Sequence, residues 1–244
     1  MKKDVAMLHR FDLHMHSYYS GDGSNPPEAL VAAAKARGLS GMAITDHNSC
    51  RAVEHCLAAG LMRADGQAVD GFLIIPGVEV STADGHLLCI GTTLPKMIGV
   101  PALEVEREIL ARGGIAIPAH PYDRWRAGIR EDILDQMQTN IIEGFNSAVT
   151  SRDYNVQAKH YAARRGKVTT AGSDAHHASA VGFASIALEM EELSVAELLR
   201  VLPQGGICEE NYLTRREGIK KHLGNWFRLF NPTPKPAVTE EQME

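Results

Sequence analysis

Along this chain, apolar runs of strand length alternate with amphipathic segments of helix length, and that alternation restricts the fold more than any other feature. The runs 11–16 (FDLHMH), 39–45 (LSGMAIT), 115–120 (IAIPAH), 140–146 (NIIEGFN) and 167–174 (KVTTAGSD) read as strands. Segment 26–38 (PPEALVAAAKARG) reads as a helix. Its prolines sit where the first turn has no use for an N–H, Glu28 lies in the first turn, and Gly38 marks the stop. Strand candidates 72–81 and 86–94 follow one another with no long helix between them. About seven or eight βα units predict an α/β fold whose parallel sheet closes into a barrel. One domain is expected over 1–230, with a glycine-rich polar loop at 60–71 and a final helix over 216–230. A disordered tail is expected at 231–244, where prolines and acids replace any apolar period.

Composition enters as an exclusion. With 25 basic and 30 acidic side chains in 244 residues, the formal charge is -5, which offers no electrostatic footprint for duplex nucleic acid or an anionic membrane. Small molecules are the expected partners. No apolar run approaches the roughly 18 residues of a spanning helix, and the basic start MKKDVAMLHR leads into no sustained apolar region. Cys50, Cys56, Cys89 and Cys208 match neither a zinc ribbon nor a CxxC pair, and scattered thiols suit the cytosol. The expectation is a soluble, cytoplasmic protein.

Polar residues interrupt the strands at their ends. His14 and His16 close the first strand, and period-2 geometry turns both to one face. Asp46 and His47 follow the second, Glu79 sits in IPGVEVS, and His86 opens HLLCIG. His120 ends IAIPAH, and Asp174 and His176 end TTAGSDAH. In a parallel barrel the carboxyl ends of the strands share one rim, so these residues converge there. Imidazole with carboxylate suits zinc, manganese or iron, and the set exceeds what one ion takes, so two or three divalent metal ions are expected. His9, His55, His160 and His222 fall in helices or ahead of a strand and are read as ordinary histidines.

The ordered set DLHMHS, then Asp22 and Gly23, then AITDHN, PGVEVS, GHLLCIG, AHP and GSDAHH resembles the PHP family, named for its polymerase and histidinol phosphatase members, over residues 10 to 190. The resemblance implies a distorted (β/α)7 TIM-like barrel with a trinuclear metal centre at the C-terminal rim of the strands. By that resemblance His14 and His16 would bind a first metal with Glu79 and Asp174. Glu79 would bridge to a second metal held by His86 and His120, and Asp22, His47 and His176 would hold the third. The first loop, SYYSGDG, places Asp22 one residue later than in many short members.

Charge discriminates between reactions. Three divalent ions would bring about six positive charges, while Asp22, Glu79, Asp174 and a bridging hydroxide would return about four, leaving an excess of about two that suits a phosphate dianion. The reading is a metal-dependent phosphoesterase whose metal-bridging hydroxide attacks a small phosphomonoester, a nucleotide or a short oligonucleotide. Catalytic roles are expected for Glu79 and Asp174. His177 or Asp46 are candidates to protonate the leaving oxygen, with Asp46 favoured as a support for its neighbours. Arg124, Arg126 and Arg130 are candidate clamps on substrate oxygens, Arg126 preferred. Glu143 and Asn146 end a further strand without an assigned role. Two rivals stand beside this reading. An amidohydrolase-type C–N hydrolase would want a lysine bridge at the rim end of a strand, but Lys35 and Lys159 sit in expected helices, and Lys96 and Lys167 lie away from the carboxyl ends of strands. A non-catalytic metal-binding module should have lost ligands, and none of the nine positions is missing.

Overall fold

The computed structural model describes residues 7–213, so the helix expected over 216–230 and the tail at 231–244 lie outside the described residues. Within them the strands are β1 (Met7–Asp12), β2 (Gly41–Ile44), β3 (Leu73–Ser81), β4 (His86–Ile90), β5 (Ile115–Pro118), β6 (Ile141–Asn146), β7 (Val168–Gly172), β8 (Ala184–Met190) and β9 (Ile207–Glu210). The helices are α1 (Pro27–Ala36), α2 (Arg51–Ala58), α3 (Ala102–Ala111), α4 (Glu131–Leu134), α5 (Arg152–Arg165) and α6 (Val195–Val201). Local chemistry explains their ends. Ser151 Oγ accepts from Asp153 N at the start of α5, and Gly166, at φ 64°, stops it in the left-handed conformation that glycine adopts freely. Among the described residues no helix is long and apolar enough to cross a membrane.

Seven strands form one sheet in the order β5-β4-β3-β2-β1-β8-β9, and β6 pairs with β7 as a separate parallel ribbon. The ribbon lies between the sheet's two flanks, β6 against β5 and β7 against β8. Beyond β7 the chain bonds to the chain beyond β1, Asp174 N to His14 O and His16 N to Ala175 O, both at 2.8 Å. The outcome is an α/β fold around a curled sheet.

The wholly parallel sheet expected from the alternation does not form. Strand pairs β1–β2, β2–β3 and β6–β7 are parallel, whereas β1–β8, β3–β4, β4–β5 and β8–β9 are antiparallel. For β4 the cause is the link between Ser81 and His86, too short for a parallel crossover and closed by Thr82 N donating to Gly85 O at 3.0 Å. Gly85 is required there: its φ is 138°, and a Cβ would lie 2.5 Å from Ala127 O. The reversal matters for the site. In a parallel barrel His86, first residue of its strand, would face the far rim; in antiparallel β4 it joins the C-terminal ends of β1, β2 and β5.

Packing follows the period of two. Leu73 and Ile75 of β3 and Leu88 and Ile90 of β4 join Phe11, Ile117 and Ile186 in one core. Ile74, on the opposite face, packs with Leu30, Met42 and Ile44, while Leu87 and Cys89 pack with Val105, Ile109 and Tyr161. Burial on both faces of the strands accounts for their nearly continuous apolar runs. Each such Leu, Ile or Phe contributes about 1.5–3 kcal/mol by leaving water. That rigidity fixes the strand ends that carry the polar residues.

Candidate metal centre

The curled sheet brings all nine residues of the expected ligand set to one rim. Six imidazoles form an unbroken chain of ring contacts, His120–His14 at 5.8 Å between centroids, His14–His16 at 5.3 Å, His16–His176 at 4.3 Å, His16–His47 at 4.5 Å and His47–His86 at 5.0 Å. Glu79 lies among them, buried. Its Oε2 is 3.2 Å from His14 Nε2, 3.2 Å from His16 Nε2 and 3.3 Å from His47 Nδ1. Its Oε1 is 2.8 Å from His86 Nδ1 and 3.2 Å from His120 Nε2. One carboxylate therefore presents each oxygen to a different set of histidines.

Ligand atoms fall into four groups in which every member lies within 4.8 Å of the others: His14, His16 and Asp174; His14, Glu79 and His120; His47, Glu79 and His86; and His16, Asp22, His47 and His176. Two features fit divalent ions. His16 Nδ1 and Nε2, His47 Nδ1, His86 Nδ1 and His120 Nδ1 are buried without an aligned hydrogen bond, a costly arrangement unless something else engages them. The short N···O separations around Glu79 also match ligand-to-ligand edges. Tetrahedral ligands at about 2.0–2.1 Å from one ion stand about 3.3 Å apart.

Neighbours aim these ligands. His14 Nδ1 donates to Glu143 Oε1 at 2.9 Å, and His176 Nδ1 donates to Asp174 O at 2.9 Å, which leaves the Nε2 lone pair of each facing the cluster. Asp174 is divided: Oδ1 is 3.4 Å from His16 Nε2, while Oδ2 accepts from Asn146 Nδ2 at 3.0 Å and pairs with Arg126. His120 and Asp174 hold φ of 30° and 52°, conformations that cost residues with a Cβ and that concentrate at functional sites. Electrostatics are coupled throughout. Against the cost of burial, the imidazoles of His14 and His47 hold the Glu79 carboxyl well below the usual carboxylate range. Burial draws His16 down, but Asp174 and Glu79 prevail and raise it to about 9. Asp22, despite burial, is held far below its usual value by His176 and His47, with His176 Nε2 2.9 Å from Oδ2. Protons and metal ions compete for the same atoms in such a set. Asp22, His47 and His86 keep 32%, 22% and 19% of their side-chain surface exposed, whereas His14, His16 and Glu79 are sealed, so the centre opens on the former side.

The remaining candidates separate. Arg126 reaches the cluster; Trp125 beside it stands in solvent. Arg124 and Arg130 line a recess outside the metal cluster. His177 enters none of the four groups; its Nδ1 accepts from Ser179 N at 3.2 Å and caps a 3-10 turn. Asp46 accepts from both Ser17 N and Ser17 Oγ at 2.6 Å, which pins the loop leading to Asp22. His55 binds Glu28 and Tyr19, as an ordinary surface histidine would. Three acids with no assigned role in the sequence turn out to support the rim: Glu143, Asp12 and Asp123, all buried. The available signal was an acid inside or beside an apolar strand, where an unpaired charge is untenable.

A sequence profile of the PHP domain matches residues 12–143, and a PHP-associated profile matches residues 152–206. The chain is 29% identical over 148 residues to an uncharacterised protein of Methanocaldococcus jannaschii, covering 56% of this chain and 81% of that one. Among solved structures it is similar to a two-domain protein of Bacteroides vulgatus containing a predicted PHP-like metal-dependent phosphoesterase, with TM-score 0.67, 19% identity, and coverage of 91% of this chain and 71% of that one. The lesion-specific endonuclease Q of Pyrococcus furiosus gives TM-score 0.66 and 20% identity, covering 83% of this chain and 57% of that one. Identities this low establish a shared fold.

Proposed function

This chain belongs to the PHP domain family, and from that premise we propose that it is a metal-dependent phosphoesterase acting on a small phosphomonoester, a nucleotide or a short oligonucleotide. The observation that carries the reading is Glu79, buried, with one oxygen facing His14, His16 and His47 and the other facing His86 and His120. A carboxylate so placed could be shared by two cation sites. His14, His16, Glu79 and Asp174 would hold one ion, Glu79, His86 and His120 a second, and Asp22, His47 and His176 a third. When bound, divalent ions supply the Lewis acidity that ionises water near neutral pH and stabilises charge on phosphoryl oxygens.

The chain's own residues then position and neutralise. Glu143 and the carbonyl of Asp174 keep the Nδ1 protons of His14 and His176 out of the cluster. Arg126, anchored by Asp174 Oδ2 and donating to Ala148 O at 3.3 Å, presents a guanidinium at the edge of the centre, where its fork suits a phosphoryl group. Only solvent-side ligands are partly exposed, which directs substrate entry past Asp22, His47 and His86. The reading is tested by assaying protein loaded with manganese, iron or zinc against phosphomonoesters, diesters, nucleotides and amides, with Glu79→Gln beside it. Hydrolysis of a phosphoester, lost by at least about a hundredfold in the variant, is expected. Full metal occupancy with no turnover would favour a binding module, and turnover of amides alone the amidohydrolase reading.

A further inference from the structure

The three acids of the proposed metal centre are not held equally. Glu79 and Asp174 are sealed in the rim, and Asp174 is tied further by Asn146 and Arg126. Asp22 stands on the loop between β1 and α1 with 32% of its side chain exposed, so packing restricts it least. Gly21, just before it, is uncrowded: a Cβ built there meets nothing within 4 Å. A carboxylate on such a loop has other rotamers open to it, and immobilising it costs free energy whenever an ion binds unless something else has already fixed it. One neighbour does so. Ser20 is buried, and its Oγ donates to Asp22 Oδ1 at 2.6 Å, a length typical of a hydroxyl on a charged oxygen. The same Oγ accepts a longer bond from His47 N at 3.4 Å, which leaves its single proton for Asp22. Ser20 is itself anchored, since its N donates to Ser17 O at 3.1 Å and Ser17 is held by Asp46. With Oδ1 occupied, Oδ2 is the oxygen that faces the imidazoles, 2.9 Å from His176 Nε2 and 3.5 Å from His47 Nε2.

We propose that Ser20 is a positioning residue for the third cation site: its hydroxyl decides which oxygen of Asp22 turns to the cluster and ties that acid to the backbone of His47. The proposal rests on the metal-centre reading and deepens it. It also gives a physical account of the loop SYYSGDG, in which Asp22 comes one residue later than in many short members of the family. A longer loop carries its acid away from the rim unless something draws it back. The bond from Ser20 to Asp22, across one intervening residue, folds the extra length onto itself. Past Asp22 the loop is closed again at Gly23, which lies so near the chain before it that a Cβ would stand 2.0 Å from Ser17 O. Ser17 and Gly23 thus fix the base of the loop, and Ser20 fixes the side chain that the loop presents.

Manganese titrated into metal-free protein, with the free ion counted by electron paramagnetic resonance, tests this without any turnover. Ser20→Ala should weaken one of the bound ions about tenfold or more and leave the others at wild-type affinity. Asp22→Ala should weaken the same ion. The double variant should be no weaker than Asp22→Ala, because the hydroxyl acts only through the carboxylate. Wild-type affinity for every ion in Ser20→Ala, with a loss in Asp22→Ala, overturns the role of Ser20 alone. Losses spread over all the ions overturn it too, since that is the mark of a serine that merely holds the fold, and so do losses that add in the double variant. Failure of the metal-centre reading has a different signature: Asp22→Ala then binds every ion as the wild type does, which removes Asp22 from the ligand set and the role of Ser20 with it.

Discussion

Glu143 serves three partners with one buried carboxylate, accepting from His14 Nδ1 at 2.9 Å, from His120 N at 2.7 Å and from Asn146 Nδ2 at 3.0 Å. Two of those partners are proposed ligands, so the group sets both the tautomer of His14 and the strained backbone of His120. Glu143→Gln keeps the shape but removes the charge that makes His14 a better donor to a cation. Metal affinity measured by calorimetric titration should fall 10- to 100-fold, an effect typical of lost support behind a ligand; wild-type affinity would show that His14 needs no such partner. Asp12 offers a pH test. It accepts from Ser173 N at 3.0 Å and Gly182 N at 2.8 Å, yet burial outweighs these bonds and pushes its carboxyl up to about 6 from 3.8. The folded state thus keeps this proton longer than the unfolded chain. Stability from protonated Asp12 is complete below the unfolded value and is lost as pH rises to about 6. In denaturant titrations of metal-free protein, the deficit of Asp12→Asn relative to wild type should shrink between about pH 4 and about pH 7. A deficit that widens over that window would contradict the assignment.

At the scale of elements, strands were easier to read than their directions. Alternating burial in β3 and β4 follows the residues themselves, and the HxH pair His14 and His16 needs only strand period to share a face. Direction depends on links. The short turn before His86 signals antiparallel pairing in the sequence, but α3 between β4 and β5 hides a second antiparallel pair behind what reads as a βα unit. Roles decided by distant partners were not legible at all: Glu143 meets His14 across 129 residues, and nothing local distinguishes Arg126, which reaches Asp174, from Arg124, which does not. At Gly172 in β7 a Cβ would stand 2.5 Å from Glu143 Oε1 and 2.6 Å from His14 Cβ. Gly172→Ala should therefore destabilise the fold by about 1–3 kcal/mol in denaturant titration, as overpacking does, and weaken metal binding with it. Wild-type stability and affinity would mean that Glu143 and His14 can yield there.

Over the whole molecule, residues from His14 to His176 are drawn to one rim by a sheet that curls and reverses rather than by a uniform barrel. The ligand motifs were legible because metal chemistry restricts them to imidazole and carboxylate; the shape that unites them was not, because strand order is a property of the entire chain. Such a cluster exists only in the folded state, so ions that fill it add to stability by mass action. The central claim is that Glu79 joins two cation sites. Anomalous-scattering maps from crystals grown with manganese test it directly. Separate peaks are expected beside each Glu79 oxygen, one also next to His14 and His16 and the other next to His86 and His120. Maps without a peak at Glu79, or with a peak at only one of its oxygens, would contradict it.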